Sequence, residues 1–371
     1  MSKRFVPFLV VFFTHCALAV ELVAPREGET VETIRPEVKA YLDLPFATRR
    51  DWRFSPDTPA KAMLRTVKDK AKPIRFVWEG EKGPYRMSVV RLPDGREFFS
   101  TNTTVSSVEI SGRLEIARQW KWTVSEGAAS VSGMFYTEDR APRIVSWPGV
   151  PNVRDIGGRL GLNGRRIKQG LLYRSGGLND NAAFGNSPTN RVPPTVPGTA
   201  RLNEAGRKFI LATTGIRTDV DFRNDWECFG MTGSPLGPEV KWLHCNYLDA
   251  YGGMATPLGR SSVARAFAAL IDTNNYPMVF HCIGGADRTG TFAYLIGGLL
   301  GADAEELARD YHLTWSASGG TAKRHNEWFD EMLSAIRKLP GEDLAEKMEK
   351  YFVSLGFTEA DVDSFRDWML E

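Results

Sequence analysis

The chain has 371 residues, 42% of them hydrophobic and 25% charged, the balance of a globular protein long enough for two or three cores and neither disordered nor fibrous. Its 47 Lys and Arg against 45 Asp and Glu leave a formal charge of +2. No global field therefore favours nucleic acid or anionic lipid, and partners have to be argued from a site.

Met1 to Ala19 reads as an export signal, because Lys3 and Arg4 precede the apolar run 5–13 and Ala17-Leu18-Ala19 supplies small residues at a cleavage point. The run is well short of the ~18 residues that a membrane span needs. Thr14-His15 lacks the small residue expected before a lipidated Cys16. Cleavage removes Lys3 and Arg4, takes the formal charge from +2 to 0, and implies a periplasmic or secreted protein whose Cys228, Cys245 and Cys282 meet an oxidising compartment. An odd count leaves one thiol free. A Cys228–Cys245 bridge and two buried thiols are both open. No CxxC or other zinc spacing occurs, so no metal or other cofactor is expected.

From about Val20 to Pro142 the sequence offers short β-rich runs between turn signals, with little helical periodicity. The runs are 74–78, 86–91, 106–110, 120–124 and 132–137, with turns at 79–84 and at Pro93-Asp94-Gly95. Their regular spacing argues for a small antiparallel sandwich. The arrangement resembles a fibronectin type III module, which implies that Trp78 and Trp120 or Trp122 pack between sheets as core residues. The basic stretch 59–75, with Lys61, Arg65, Lys68, Lys70, Lys72 and Arg75, reads as a solvated face. Residues 138–143 read as a linker.

From 143 onward apolar strands alternate with helices, the pattern of an α/β layer fold. Strands are expected at 170–174, 219–223, 240–245 and 278–281, and helices at 203–213, 262–272 and 291–300. Further amphipathic helices at 304–312, 323–337 and 343–355 read as scaffold. The insert Asn179–Thr199, rich in Asn, Pro, Gly and Thr, reads as a loop.

The chemistry lies in His281-Cys282-Ile283-Gly284-Gly285-Ala286-Asp287-Arg288-Thr289-Gly290, between an apolar strand and an apolar helix. A strand feeding a glycine-rich turn into a helix N-terminus is what a phosphate cradle requires: the backbone N–H groups of Ile283 to Arg288 converge and the positive end of the helix faces the anion. The same groups favour thiolate at Cys282, the candidate nucleophile. Arg288 can fold back to offer a planar fork to two phosphate oxygens. Thr289 is placed to donate toward the thiolate, and His281 to hold the loop by hydrogen bonds. The general acid is Asp249, in the stretch 246–253, or Asp287 inside the cradle. Arg154, Asp155 and Arg223 read as buried ion pairs bracing the sheet, and His312 and His325 as lone histidines without a catalytic part.

At these residues the sequence resembles the protein tyrosine phosphatase superfamily, with its Cys-x5-Arg-Ser/Thr loop, and within it the bacterial tyrosine/serine phosphatase family. Asn152-Val153-Arg154-Asp155-Ile156-Gly157-Gly158, Gly170 to Gly176 and Gly215 to Arg223 are similar to that family's further motifs. The likeness covers about 151–311. It implies an α/β phosphatase domain over 143–371 that hydrolyses phosphomonoesters through a phosphocysteine, without metal, most simply as a tyrosine or dual-specificity protein phosphatase. The substrate would be a phosphorylated protein or small phosphomonoester. Where the family's loop carries lysine this chain has Ala286, which counts against highly phosphorylated lipids or inositols. A rhodanese-like sulfurtransferase and a phospho-ligand binding module without turnover are the alternatives; Thr289-Gly290 speaks against the first, and intact Cys282 and Arg288 against the second.

Overall fold

The structure, a computed structural model, describes residues 20–52, 59–67, 70–80, 83–179, 202–228, 231–246, 248, 252–315 and 323–371. The export signal, residues 180–199 of the expected insert and Asp249 lie outside the described residues. Two compact units are present. The first takes the described part of Met1–Glu29 with Arg75–Val108 and Trp120–Phe135, and the second takes Thr30–Ile74, Glu109–Gln119 and Tyr136–Glu371.

Among the described residues, eight strands precede residue 142: β1 (Glu21–Ala24), β2 (Glu29–Val31), β3 (Ile74–Glu79), β4 (Tyr85–Arg91), β5 (Glu97–Thr103), β6 (Ser107–Ile110), β7 (Gln119–Glu126) and β8 (Ala129–Thr137). They form a sheet of order β1-β3-β6 and another of order β2-β8-β7-β4-β5. Period-two alternation buries Phe76 and Trp78 on β3, and Trp120, Trp122 and Val124 on β7. The two sheets meet through these rings: Phe76 lies 5.3 Å from Trp122 and 5.5 Å from Phe135, and Trp78 lies 5.5 Å from Tyr85, each edge to face.

The expectation of little helix before 142 is corrected by α1 (Pro36–Leu42), α2 (Phe46–Trp52) and α3 (Pro59–Val67). All three belong to the second unit, so the compact units do not follow a single cut at 142/143. Val38, Tyr41 and Leu42 of α1 and Leu64 and Val67 of α3 share a core with Ile144 and Leu313. The basic stretch hid this helix because Leu64 and Val67 are interleaved with lysines and arginines. Lys61 is itself buried, not solvated.

The remaining strands, β9 (Arg143–Ile144), β10 (Arg154–Asp155), β11 (Leu172–Ser175), β12 (Thr218–Asp221), β13 (Lys241–His244) and β14 (Met278–His281), form one sheet of order β13-β12-β14-β11-β10-β9. Strands β11 to β14 are parallel, and β9 and β10 run antiparallel at one edge. Central strand β14 is buried along its whole length, as expected of a parallel strand covered on both faces. Ser175 of β11 and Asp221 of β12 both lie in register with His281. The carboxyl ends of three strands thus stop at one level, where α/β sheets bind ligands.

Helices α4 (Glu204–Thr214), α5 (Pro257–Ile271), α6 (Asp287–Leu299), α7 (Ala304–Trp315), α8 (Lys323–Arg337), α9 (Leu344–Ser354) and α10 (Glu359–Met369) complete the unit. Nearly all of α6 is buried, with Phe292 packed 4.9 Å from Phe222 and 5.2 Å from Phe280. His312 is buried between Phe46 and Phe329. Among the described residues no helix is long and apolar enough to cross a membrane.

Candidate active site

β14 delivers the chain to Cys282, which is 3% exposed, and α6 begins five residues later at Asp287. The N-cap of α6 is Ala286, whose side chain has no oxygen to satisfy the first-turn N–H groups. They stay available to an anion. Gly285 has φ +65°, and a Cβ there would sit 2.4 Å from the Ser175 carbonyl, so only glycine allows this close turn.

The loop's carbonyls are all engaged from behind. Cys282 O lies 3.1 Å from His281 Nδ1, and Ile283 O accepts from Gly177 N–H at 2.8 Å. Asn152 Nδ2 donates to Gly284 O and Gly285 O, both at 2.9 Å. Arg174 Nη2 also donates to Gly285 O, at 2.7 Å. Ala286 O accepts from Gly290 N–H at 2.8 Å. With the carbonyls turned away, the N–H face of the loop is left for a ligand.

Arg288, in the first turn of α6, is held by a residue that the sequence did not single out. Glu227 accepts from Nη2 at 2.9 Å and also from Nη1, and Nη1 donates to Phe222 O at 3.2 Å. Burial opposes the guanidinium's charge, but Cys282 and Glu227 outweigh it and raise the pKa of Arg288. Glu227 is fixed in turn by a capping box on the 3-10 turn Asp225–Glu227, where Asn224 N–H donates to its carboxylate at 2.6 Å.

Beneath the loop, His281 Nε2 lies 3.0 Å from Asp219 and Nδ1 3.9 Å from Asp221. Burial alone would lower the pKa of His281, and Asp221 and Asp219 together raise it instead. Burial would raise Asp221, but His281 and Arg223 hold its carboxyl below the usual carboxylate range. Arg223 Nη2 donates to Asp221 at 2.6 Å. Arg143 pairs with Asp155 at 2.7 Å, while Arg154, Arg159 and Arg174 converge on Asp310 at 3.2, 3.2 and 2.5 Å.

The structure brings Cys282, the loop backbone, Arg288 and His281 together. Asp287 opens α6 and accepts from the Tyr311 hydroxyl at 3.4 Å. Thr289 is fully buried, and its hydroxyl has no hydrogen-bond partner among the described residues. Cys228 and Cys245 are free buried thiols, which settles the open question of a bridge between them. Burial pushes the Cys245 thiol up to about 12 and Cys228 higher, the latter also facing Asp221, so neither is a nucleophile. Glu227, Asn152 and Arg174 were missed as site residues. The only signal was that Asn152 and Arg174 fall inside the quoted motifs. No group of three or more His, Cys, Asp or Glu placed to hold a metal occurs among the described residues.

Comparison with known proteins agrees with this geometry. A curated protein of Cupriavidus necator named "Putative tyrosine-protein phosphatase" is 27% identical over 52% of this chain and 72% of its own length. The model of the tyrosine phosphatase family matches residues 145–187 and 198–371, which include the whole Cys282–Arg288 loop and its supports Asn152, Arg174 and Glu227. The chain belongs to the tyrosine phosphatase family.

Proposed function

We propose that this protein hydrolyses phosphomonoesters through a phosphocysteine at Cys282, with phosphotyrosine or mixed phosphoprotein substrates. The observation that carries the reading is the loop from Cys282 to Arg288, whose carbonyls are all bonded behind it and whose N–H groups open toward an uncapped helix end. A phosphoryl group seated there meets the Cys282 sulfur on one side and the Arg288 fork on another. Sulfur attacks phosphorus, the P–O ester bond breaks, and a carboxylic acid protonates the departing oxygen. Water then attacks the phosphocysteine, releasing phosphate and the thiolate. No step calls on a metal. Ala286 in the loop removes a cation that densely phosphorylated lipids or inositols would use.

Export follows from Lys3, Arg4 and the apolar run after them, and gives a periplasmic or secreted enzyme. The two-sheet unit, with its Trp78 and Trp122 core, is read as a fibronectin type III-like sandwich.

Cys282→Ser tests the reading. Turnover of an aryl phosphate should vanish while inorganic phosphate still binds, because the cradle is backbone and Arg288, and wild-type activity should be the same with or without EDTA. Substantial turnover by the Ser variant, or loss of wild-type activity on chelation, would sink the mechanism.

A further inference from the structure

A phosphate cradle works only if its peptide groups face the right way, since a carbonyl turned toward a bound dianion repels it as strongly as an N–H attracts it. Glycine permits the cradle's conformation but does not select it. Two successive glycines, Gly284 and Gly285, are free to flip their peptides. What holds their carbonyls back comes from more than a hundred residues away: Asn152 Nδ2 reaches both Gly284 O and Gly285 O at 2.9 Å, alone at Gly284 and together with Arg174 Nη2, at 2.7 Å, on Gly285.

Asn152 is 3% exposed and sits at φ +61°, a left-handed conformation that asparagine tolerates better than other side chains. Because both groups it faces in the loop are acceptors, the atom facing them is the amide nitrogen, and this fixes the amide's orientation. Behind it, Thr314 Oγ1 lies 3.2 Å from Asn152 Nδ2 and 3.3 Å from Oδ1 and accepts from Arg154 Nη2 at 2.7 Å, and Arg154 pairs with Asp310. A chain of polar contacts thus runs from the Asp310 carboxylate through Arg154, Thr314 and Asn152 to the two loop carbonyls.

We infer that Asn152 is a positioning residue for phosphoryl transfer, acting through Gly284 and Gly285 without touching substrate: it selects the peptide orientation that makes the loop bind anions. The inference rests on the phosphatase reading of Cys282. It explains why an Asn-x-Arg segment at the far edge of the sheet belongs to the active site at all.

Two substitutions separate this role from a merely structural one. Asn152→Gly keeps the left-handed backbone and removes only the amide, and Asn152→Asp keeps shape but points a carboxylate at two carbonyls. Thermal unfolding identifies a temperature at which each is folded. There, kcat/KM for p-nitrophenyl phosphate and the competitive inhibition constant of inorganic phosphate are measured. Asn152→Gly should lower kcat/KM by about 10²-fold, the scale of losing one oriented donor in an anion hole, and weaken phosphate inhibition in parallel. Asn152→Asp should be worse on both. Thr314→Val, one contact further back, should move both in the same direction by a smaller factor, and serves if a variant at 152 does not fold. Lowered melting temperatures with wild-type phosphate inhibition and kcat/KM would overturn the inference while leaving the phosphatase reading intact. A wild-type protein that neither turns over aryl phosphates nor binds phosphate would overturn both.

Discussion

Glu227 grips Arg288 by both terminal guanidinium nitrogens, with Nη2 at 2.9 Å from Oε1 and Nη1 against Oε2. A guanidinium has a second donor edge, Nε with Nη2, and no partner among the described residues takes Nε. Glu227 therefore orients the fork and leaves one edge to a phosphate. It also offsets a buried positive charge in the resting enzyme, so that Arg288 is not expelled toward solvent.

Glu227→Gln should keep the shape but lose one acceptor and the charge, and Glu227→Ala should free the fork altogether. The expected loss in kcat/KM is about 10-fold for Gln and about 10²-fold for Ala, the cost of misplacing a positioned group by about an ångström. Weaker inhibition by inorganic phosphate should accompany it. Steady-state kinetics with phosphate as competitor check both, and unchanged values for the Ala variant would remove Glu227 from the site.

The linker reading of 138–143 suggests a chain beginning at Arg143 as a free-standing catalytic unit, and the packing argues otherwise. Ile144 and Leu313 are buried against α1 and α3, and the Tyr41 hydroxyl donates to His312 O at 3.2 Å. Exposing two such side chains costs about 3–6 kcal/mol, which at this size lowers a melting temperature by roughly 10 °C or more. A chain beginning at Arg143 should melt that much below one that retains residues 30–142. Equal melting temperatures would show that α1 and α3 contribute nothing to the catalytic unit.

These outcomes mark where the sequence was legible. Cys282 and Arg288 stand six residues apart between a strand and a helix, so their chemistry is local and the spacing carries it. Glu227 meets Arg288 across 61 residues and Asn152 meets the loop across 132, and no periodicity encodes such pairs. Helix α3 was lost for a different reason: Leu64 and Val67 face a core while neighbouring cations suggested solvent, and tertiary packing overrode the apparent polarity. Period-two strands such as β3 and β7, by contrast, announced themselves through alternating apolar side chains, Ile74, Phe76 and Trp78 on the one and Trp120, Trp122 and Val124 on the other.

A pH dependence follows from the buried His281. Asp221 and Asp219 overcome burial and raise its pKa above that of a histidine in the unfolded chain. The folded state then holds a proton that the unfolded state releases, so unfolding free energy falls as pH rises. This contribution is complete below about pH 6.5, the unfolded value, and is lost as pH climbs through the raised folded value. Asp221, lowered by His281 and Arg223 against its burial, works in the opposite sense and loses its contribution only in acid, below about pH 3.8. Urea unfolding between pH 6 and pH 10 should show stability declining in the wild type, with the decline reduced in His281→Asn. Parallel curves for the two proteins would mean that His281 is neutral in the fold.

The general acid is the last assignment. On the proposed mechanism, phosphoryl transfer to Cys282 would expel an alkoxide or phenoxide that a carboxylic acid can protonate. Asp287 begins α6 beside Arg288, and its Oδ1 accepts from Tyr311, which gives it a structural task already. Asp249 follows β13 and precedes Gly252 and Gly253, a pair that can let a loop close on a leaving group. We therefore expect Asp249→Asn to slow aryl phosphates with poor leaving groups by about 10²–10⁴-fold, the usual worth of a positioned acid. An ester whose leaving group has a low pKa departs without a proton and should be far less affected. Rates across a series of substituted phenyl phosphates decide the matter, read as the slope of log kcat/KM against leaving-group pKa. A steeper slope in Asp249→Asn supports the assignment. A slope unchanged in Asp249→Asn and steeper in Asp287→Asn would transfer the proton donor to Asp287 and leave Asp249 outside the chemistry.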